Sequence, residues 1–299
     1  MNHENPWSAL PYESWKDALD TLHMKMQIIG KVKLALNSFL NQWWQVTFHL
    51  NLKGMTTGLI PYKDGVFEIE FDFTEHNLSI RTSNNQSKML NLHDSSVAGF
   101  YDDFMDSLTS MGIPVKISTQ PCEFIDPVPF ELDHGRKSYD KEFVQRWWRI
   151  LLQLQPVFER FRTGFRGKSS PVHFFWGSFD LSESRFSGKP CQYPQGRIMK
   201  FAENEENFTF GFWPGDKNYP HAAFYSYFYP APKAIESLKY YSPYMREFIL
   251  DYQEVIDNPD HEETILRFLK ETYDQGALLA GWDIESLKAE IPIEYQVYY

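Results

Sequence analysis

Two stretches, Phe208-Thr209-Phe210-Gly211-Phe212-Trp213 and Ala222-Ala223-Phe224-Tyr225-Ser226-Tyr227-Phe228-Tyr229, carry apolar or aromatic side chains on both faces of a β-strand. Successive side chains of a strand point to opposite sides, so strands of this kind must be covered on both faces. The chain has the material for that. It holds 299 residues, 42% of them hydrophobic and 17% aromatic, and a body of this mass buries about three quarters of its unfolded surface. Disordered and fibrous classes are excluded by the same composition.

Other segments have clearer periodicity. Phe67, Ile69, Phe71 and Phe73 alternate with Glu68, Glu70 and Asp72, which predicts a half-buried antiparallel strand. Shorter strands are expected at Leu78–Thr82 and Met89–Leu92, with turns at Asp64-Gly65 and Asn84-Asn85. Trp43 to Leu52 reads as a strand with Trp43, Gln45, Thr47 and His49 on one face. Further strands are expected at Val172–Leu181, Arg197–Ala202 and Phe248–Tyr252. Apolar spacing of three and four predicts helices over Trp15–Leu36 with Ser14 as N-cap, Ser95–Met111, Asp140–Phe161 and Glu262–Leu279. Pro156 is expected to kink or divide the third of these.

The order helix, strands, helix therefore occurs twice. Gln42 to Leu50 and His173 to Leu181 also match in aromatic and small-polar positions, as an internal duplication would leave them. The expected fold is α+β: two pseudo-repeated helix-strands-helix halves, 1–130 and 131–299, with mostly antiparallel sheet packed by long helices into one cooperative body. The proline loop around 121–138 would join them.

Charge and cysteine usage narrow the function. The net charge is −11, from 29 Lys+Arg and 40 Asp+Glu, so the chain lacks the basic footprint of a nucleic-acid or anionic-membrane binder. The middle is nonetheless basic, +4 over residues 131–250, which leaves room for an anionic small molecule. Cys122 and Cys191 form no CxxC and have no His at zinc-finger spacing, so neither a disulfide framework nor structural zinc is expected. No cofactor or metal is expected. The first residues lack a basic region followed by an apolar one, and Lys33 to Lys53 is too polar for a membrane span. A cytoplasmic location is expected.

Several motifs fail on inspection. Arg160 to Ser169 lacks the first glycine of a phosphate loop and follows a helix, where cations suit the helix dipole. His261-Glu262-Glu263-Thr264-Ile265 lacks the second His of a zinc-protease helix. Gly177-Ser178 is not a nucleophile elbow. The remaining candidates are polar residues set among apolar ones. His23, Gln27 and Lys31 form an i, i+4, i+8 row on the first helix. Strand periodicity would put Trp176, Ser178 and Asp180 on one side.

The segments Leu22-His23-Met24, Gln27 to Val32, Ser170-Pro171-Val172-His173-Phe174-Phe175-Trp176-Gly177-Ser178-Phe179-Asp180-Leu181, Arg185-Phe186-Ser187-Gly188, Phe212-Trp213-Pro214-Gly215 and Ala222 to Tyr227 together resemble a largely bacterial family catalogued as domain of unknown function 5996. The resemblance spans about Trp15 to Trp282. It implies a bacterial intracellular protein and brings no activity, cofactor or catalytic residue. Relatives in that family carry His where Gln45 stands and none at His49, which turns attention from His49 to His23, Lys31, His173, Ser178, Asp180 and Arg185.

The expected ligand site is walled by Trp43, Trp176 and Tyr225, with polar contacts from His23, Gln27, Lys31, His173, Ser178, Asp180 and Arg185. Its ligand would be a small molecule, and Lys31 and Arg185 suit an anionic group. The alternatives are a non-enzymatic interaction module using the aromatics and the terminal Ile293 to Tyr299, and a hydrolase using Ser178. Catalysis itself and oligomeric state stay open at this level.

Overall fold

The computed structural model describes residues 6–192, 196 and 198–290. Ile293 to Tyr299 and Arg197 lie outside them. The fold is α+β and divides into two units: residues 10–149 with 173–180, and residues up to 9 with 150–172 and 181 onward. The proline loop at 121–138 falls inside the first unit.

In that unit α1 (Lys16–Leu36) is buried on nearly all sides. The expected stripe Leu19, Leu22, Met26, Ile29 and Val32 is covered, but so are Met24, Ile28 and the polar Lys25, Gln27, Lys31 and Lys33. Its N-cap is Trp15, and Ser14 belongs to the preceding 3-10 turn. The expected strand from Trp43 does not form. Residues Asn41–Val46 make 3-10 turns, with Gln42 and Trp43 at φ of 57° and 60°, a left-handed conformation that no local sequence signal announces. The chain is extended from Thr47, with a strand at His49–Leu50 (β1), so Trp43 and Gln45 share no strand face with Thr47 and His49.

The following strands are β2 (Gly54–Thr56), β3 (Ile60–Tyr62), β4 (Gly65–Asp72), β5 (Asn77–Thr82) and β6 (Ser87–Asn91). They pair antiparallel in the order β1-β2-β4-β5-β6, with β3 on β4. In β4 the predicted alternation is realised: Phe67, Ile69 and Phe71 are buried, while Glu68 and Glu70 accept from Thr56 and Asn51. Helix α2 (Val97–Ser110) is capped by Ser96, whose hydroxyl accepts from Gly99 N, and ends before Gly112 at φ +74°.

Helix α3 (Lys141–Thr163) runs through Pro156 as one element, so the expected division does not occur. Its first nine residues belong to the first unit and the rest to the second. Strand β7 (His173–Phe175) returns to the first unit, where Phe174 and Phe48 exchange both backbone hydrogen bonds at 2.9 Å. The core closes around Trp147, whose ring centroid is 5.8 Å from Phe73, 5.6 Å from Phe174 and 4.8 Å from Phe179.

The second unit contains β8 (Asp180–Pro190), α4 (Met199–Ala202), β9 (Glu205–Trp213), β10 (Ala223–Tyr229), β11 (Tyr241–Ser242), β12 (Glu247–Asp251), α5 (Tyr252–Ile256), α6 (His261–Leu279) and α7 (Ile284–Leu287). Its strands run antiparallel in the order β11-β12-β10-β9-β8. Where a strand was expected at 197–202, the described residues form α4. Phe208, Phe210, Phe212, Phe224 and Phe228 are buried as anticipated. Phe158 and Phe161 of α3 stand edge-on to Phe210, and Tyr273 of α6 covers Phe208.

Candidate functional site

The α1 row organises two loops of the first unit. His23 Nε2 lies 2.9 Å from both Trp176 O and Gly177 O. Two carbonyl partners require Nε2 to carry its proton, so it donates to both. Gln27 Nε2, 3.1 Å from the same nitrogen, is also a donor and makes no hydrogen bond there. Its amide is committed to Cys122: Nε2 donates to the Cys122 carbonyl at 2.7 Å, and Cys122 N donates to Oε1 at 2.9 Å. One turn further on, Lys31 is nine-tenths buried, 6.0 Å from the Phe130 centroid. Burial lowers its ammonium below the usual lysine range.

The tethered loops meet at Gly177. A Cβ there would come within 3.3 Å of Glu123 Oε2, so glycine leaves the Glu123 carboxyl its place. Glu123 is exposed by area yet crowded by the chain, and that crowding, reinforced by the charge of Asp180, raises its carboxyl above the usual range. Ser178 Oγ donates to Asp180 Oδ1. Ser178 and Asp180 do meet, but across a turn with Phe179 at φ +62° and not along a strand. Burial also takes the His23 imidazole down to about 4. At neutral pH it is an uncharged post holding the Trp176-Gly177 carbonyls, a poor general base.

The other expected site residues are distributed as follows. Trp176 is buried, its Nε1 donates to Val46 O at 2.9 Å, and its indole lies against Gly30, where any Cβ would overlap it. Trp43 is half-buried and edge-on to Phe39. His173 is buried in β7, its ring 4.6 Å from Phe175. The row thus ties His23 to the Trp176-Gly177 carbonyls and Gln27 to Cys122, with Lys31 beside Cys122, while Ser178 and Asp180 bond to each other beyond Gly177. Tyr225 and Arg185 belong to the second unit. Tyr225 crosses over Gly211, 5.9 Å from Trp213 and 6.3 Å from Tyr227.

Arg185 occupies an aromatic cage. Its Cζ lies 3.6 Å from the Phe161 centroid, 4.6 Å from Tyr273 and 5.2 Å from Phe165. Nη2 donates to Phe161 O, while Nε is buried with no hydrogen-bond partner. Two residues back on β8, Glu183 is fully buried and neither carboxyl oxygen has a hydrogen-bond partner. Arg162 Nε stands 3.7 Å from Glu183 Oε1 but donates to Ser170 O at 2.9 Å and Ser169 Oγ at 3.2 Å.

Burial outweighs mutual attraction for both members of this pair. It pushes the Glu183 carboxyl up to about 8 and brings the Arg185 guanidinium down to about 10. Burial thus favours the neutral carboxyl at Glu183, which weakens the counter-charge that its own strand offers to the buried Arg185 guanidinium.

Arg185 also lines a cavity of about 770 Å³ bounded by the end of α3, one face of α6 and α7. Phe161, Leu266, Ile284, Leu287 and Tyr273 give it an apolar lining, and charged groups of both signs stand around them. Cys122, Glu123, Glu183, Phe161 and Tyr273 were not singled out from sequence.

The model of a family described as "Family of unknown function (DUF5996)" matches residues 7–289. No curated protein and no solved structure matches the chain. Among the described residues no helix is long and apolar enough to cross a membrane, and no group of three or more His, Cys, Asp or Glu could hold a metal ion.

Proposed function

Because the chain belongs to DUF5996, a family of unknown function, its role has to be read from its own side chains, and we propose that it binds a small organic anion in the cavity over Arg185. The observation that carries this is the caged guanidinium: a buried, charged group with an unpartnered Nε, lining a space of ligand size. A ligand carboxylate there supplies the counter-charge that protonated Glu183 does not. The apolar lining favours a ligand with a hydrocarbon or aromatic body behind its acid group.

The test is calorimetric titration at pH 7 with 3-phenylpropanoate and with its neutral amide. The acid is expected to bind and the amide to bind at least tenfold more weakly. Arg185→Gln should abolish acid binding. Leu266→Trp, which fills the cavity from a half-buried wall position without touching the buried charges, should weaken it in a protein that keeps its far-ultraviolet spectrum. Equal binding of acid and amide, or unchanged binding in Leu266→Trp, overturns the proposal.

A further inference from the structure

A second feature of the first unit is independent of that cavity. Strand β6 is the last strand of its sheet, paired only with β5. The register sets which of its backbone groups are used. Leu92 N donates to His76 O and Thr82 N to Gln86 O, so the hydrogen-bonded pairs along the ladder fall at Leu78 with Leu90 and Ile80 with Lys88. The N–H and C=O groups of Ser87, Met89 and Asn91 therefore point away from the sheet. Met89 is 70% exposed. Natural sheets usually blunt or cover such an edge.

This edge faces a groove. A cavity of about 600 Å³ is lined by four consecutive residues of β6, Lys88 to Asn91, and by Phe100, Asp103, Ser107 and Ser110 along one face of α2. An open strand edge beside a helix face is the geometry in which an extended peptide adds as a further strand. The charges select among peptides. Asp94, Asp103 and Asp106 line the groove against one cation, Lys88, and among the described contacts the Asp103 and Asp106 carboxylates make no ion pair.

We propose that the groove between β6 and α2 binds an extended basic peptide by strand addition, its backbone pairing with Met89 and its neighbours and its lysines or arginines facing Asp103 and Asp106. The ladder supplies affinity without sequence preference, and the aspartates supply the preference for positive charge.

The experiment uses the full chain and two labelled heptapeptides alternating valine with lysine or valine with glutamate, read by fluorescence anisotropy. The lysine peptide is expected to bind at least tenfold more tightly, and to weaken as salt rises from 50 to 300 mM, settings chosen to span roughly a halving of the screening length. N-methylation at alternate peptide residues should abolish binding with no change to the protein. Met89→Pro should do the same from the other side, since it removes an outward N–H that β5 does not use. Asp103→Asn with Asp106→Asn should weaken binding by about tenfold, at roughly threefold for each exposed charge. Equal affinity for both peptides, or indifference to Met89→Pro and to N-methylation, overturns the proposal. So does a chain that binds neither peptide and instead self-associates through β6, with Met89→Pro making it monomeric.

Discussion

The buried Glu183 makes the most quantitative prediction. Raising a carboxyl from 4.5 to about 8 disfavours its ionised form by about 5 kcal/mol. A group whose folded value is raised holds its proton more tightly in the native state. Its stabilising contribution is complete below pH 4.5 and is lost as pH rises to about 8. Glu183→Gln removes the titration and keeps a neutral side chain of the same shape. From pH 6 to pH 9 the variant should therefore gain about 3 kcal/mol of stability relative to the wild type, most of it below pH 8. Urea denaturation at intervals of half a pH unit reads this difference, whatever constant offset the amide introduces. If the chain unfolds in two steps, the change belongs to the transition of the unit that contains β8. A stability difference that stays flat across this range would refute the reasoning. One that moved the other way would mean an ionised Glu183 paired with Arg162 and Arg185.

Three further predictions follow from buried groups. Lys33 is 5% exposed and donates to Thr47 O at 2.5 Å and to Thr57 O, and burial lowers its ammonium to about 8. The native state sheds this proton before the unfolded chain does, so wild type should gain about 3 kcal/mol on Lys33→Met between pH 8 and 10.5 by denaturant titration. The His23 ring should titrate near pH 4 by NMR of its carbon-bound protons, and stability should fall as pH drops from 6.5 toward 4; a midpoint near 6.5 contradicts the burial of the ring, since the two carbonyl contacts by themselves favour the charged form. Gly30→Ala should destabilise the first unit by about 1–3 kcal/mol despite the better helix propensity of alanine, because the new methyl overlaps the Trp176 indole; a neutral or stabilising result would place the indole elsewhere.

What could be read from the sequence was local periodicity. Phe67 to Asp72 alternates without interruption, and β4 forms as expected because each choice agrees with a half-buried pleat. Trp43 to Val46 alternates almost as well but turns, since Gln42 and Trp43 adopt left-handed angles imposed by their surroundings. The helical row His23, Gln27, Lys31 was visible as a pattern. Its partners were not: Cys122 lies 95 residues from Gln27, and Trp176 lies 153 residues from His23. Ser178 and Asp180 hydrogen-bond across a turn at Phe179, where the sequence pattern points to strand spacing. Glu183 escaped notice because an acid in a strand ordinarily faces water, and only the cover provided by α3 makes it a buried one.

The discontinuity of the two units bears on synthesis. Residues 10–149 emerge from the ribosome first, yet the core around Trp147 needs Phe174 and Phe179, which are made after the whole of α3. At about 5–20 residues per second, the 30 residues from 150 to 179 impose a delay of roughly two to six seconds. During it the nascent unit lacks part of its aromatic interior, and Phe48 lacks the strand it bonds to. A nascent chain stalled at this length is thus the species in which chaperone occupancy should peak.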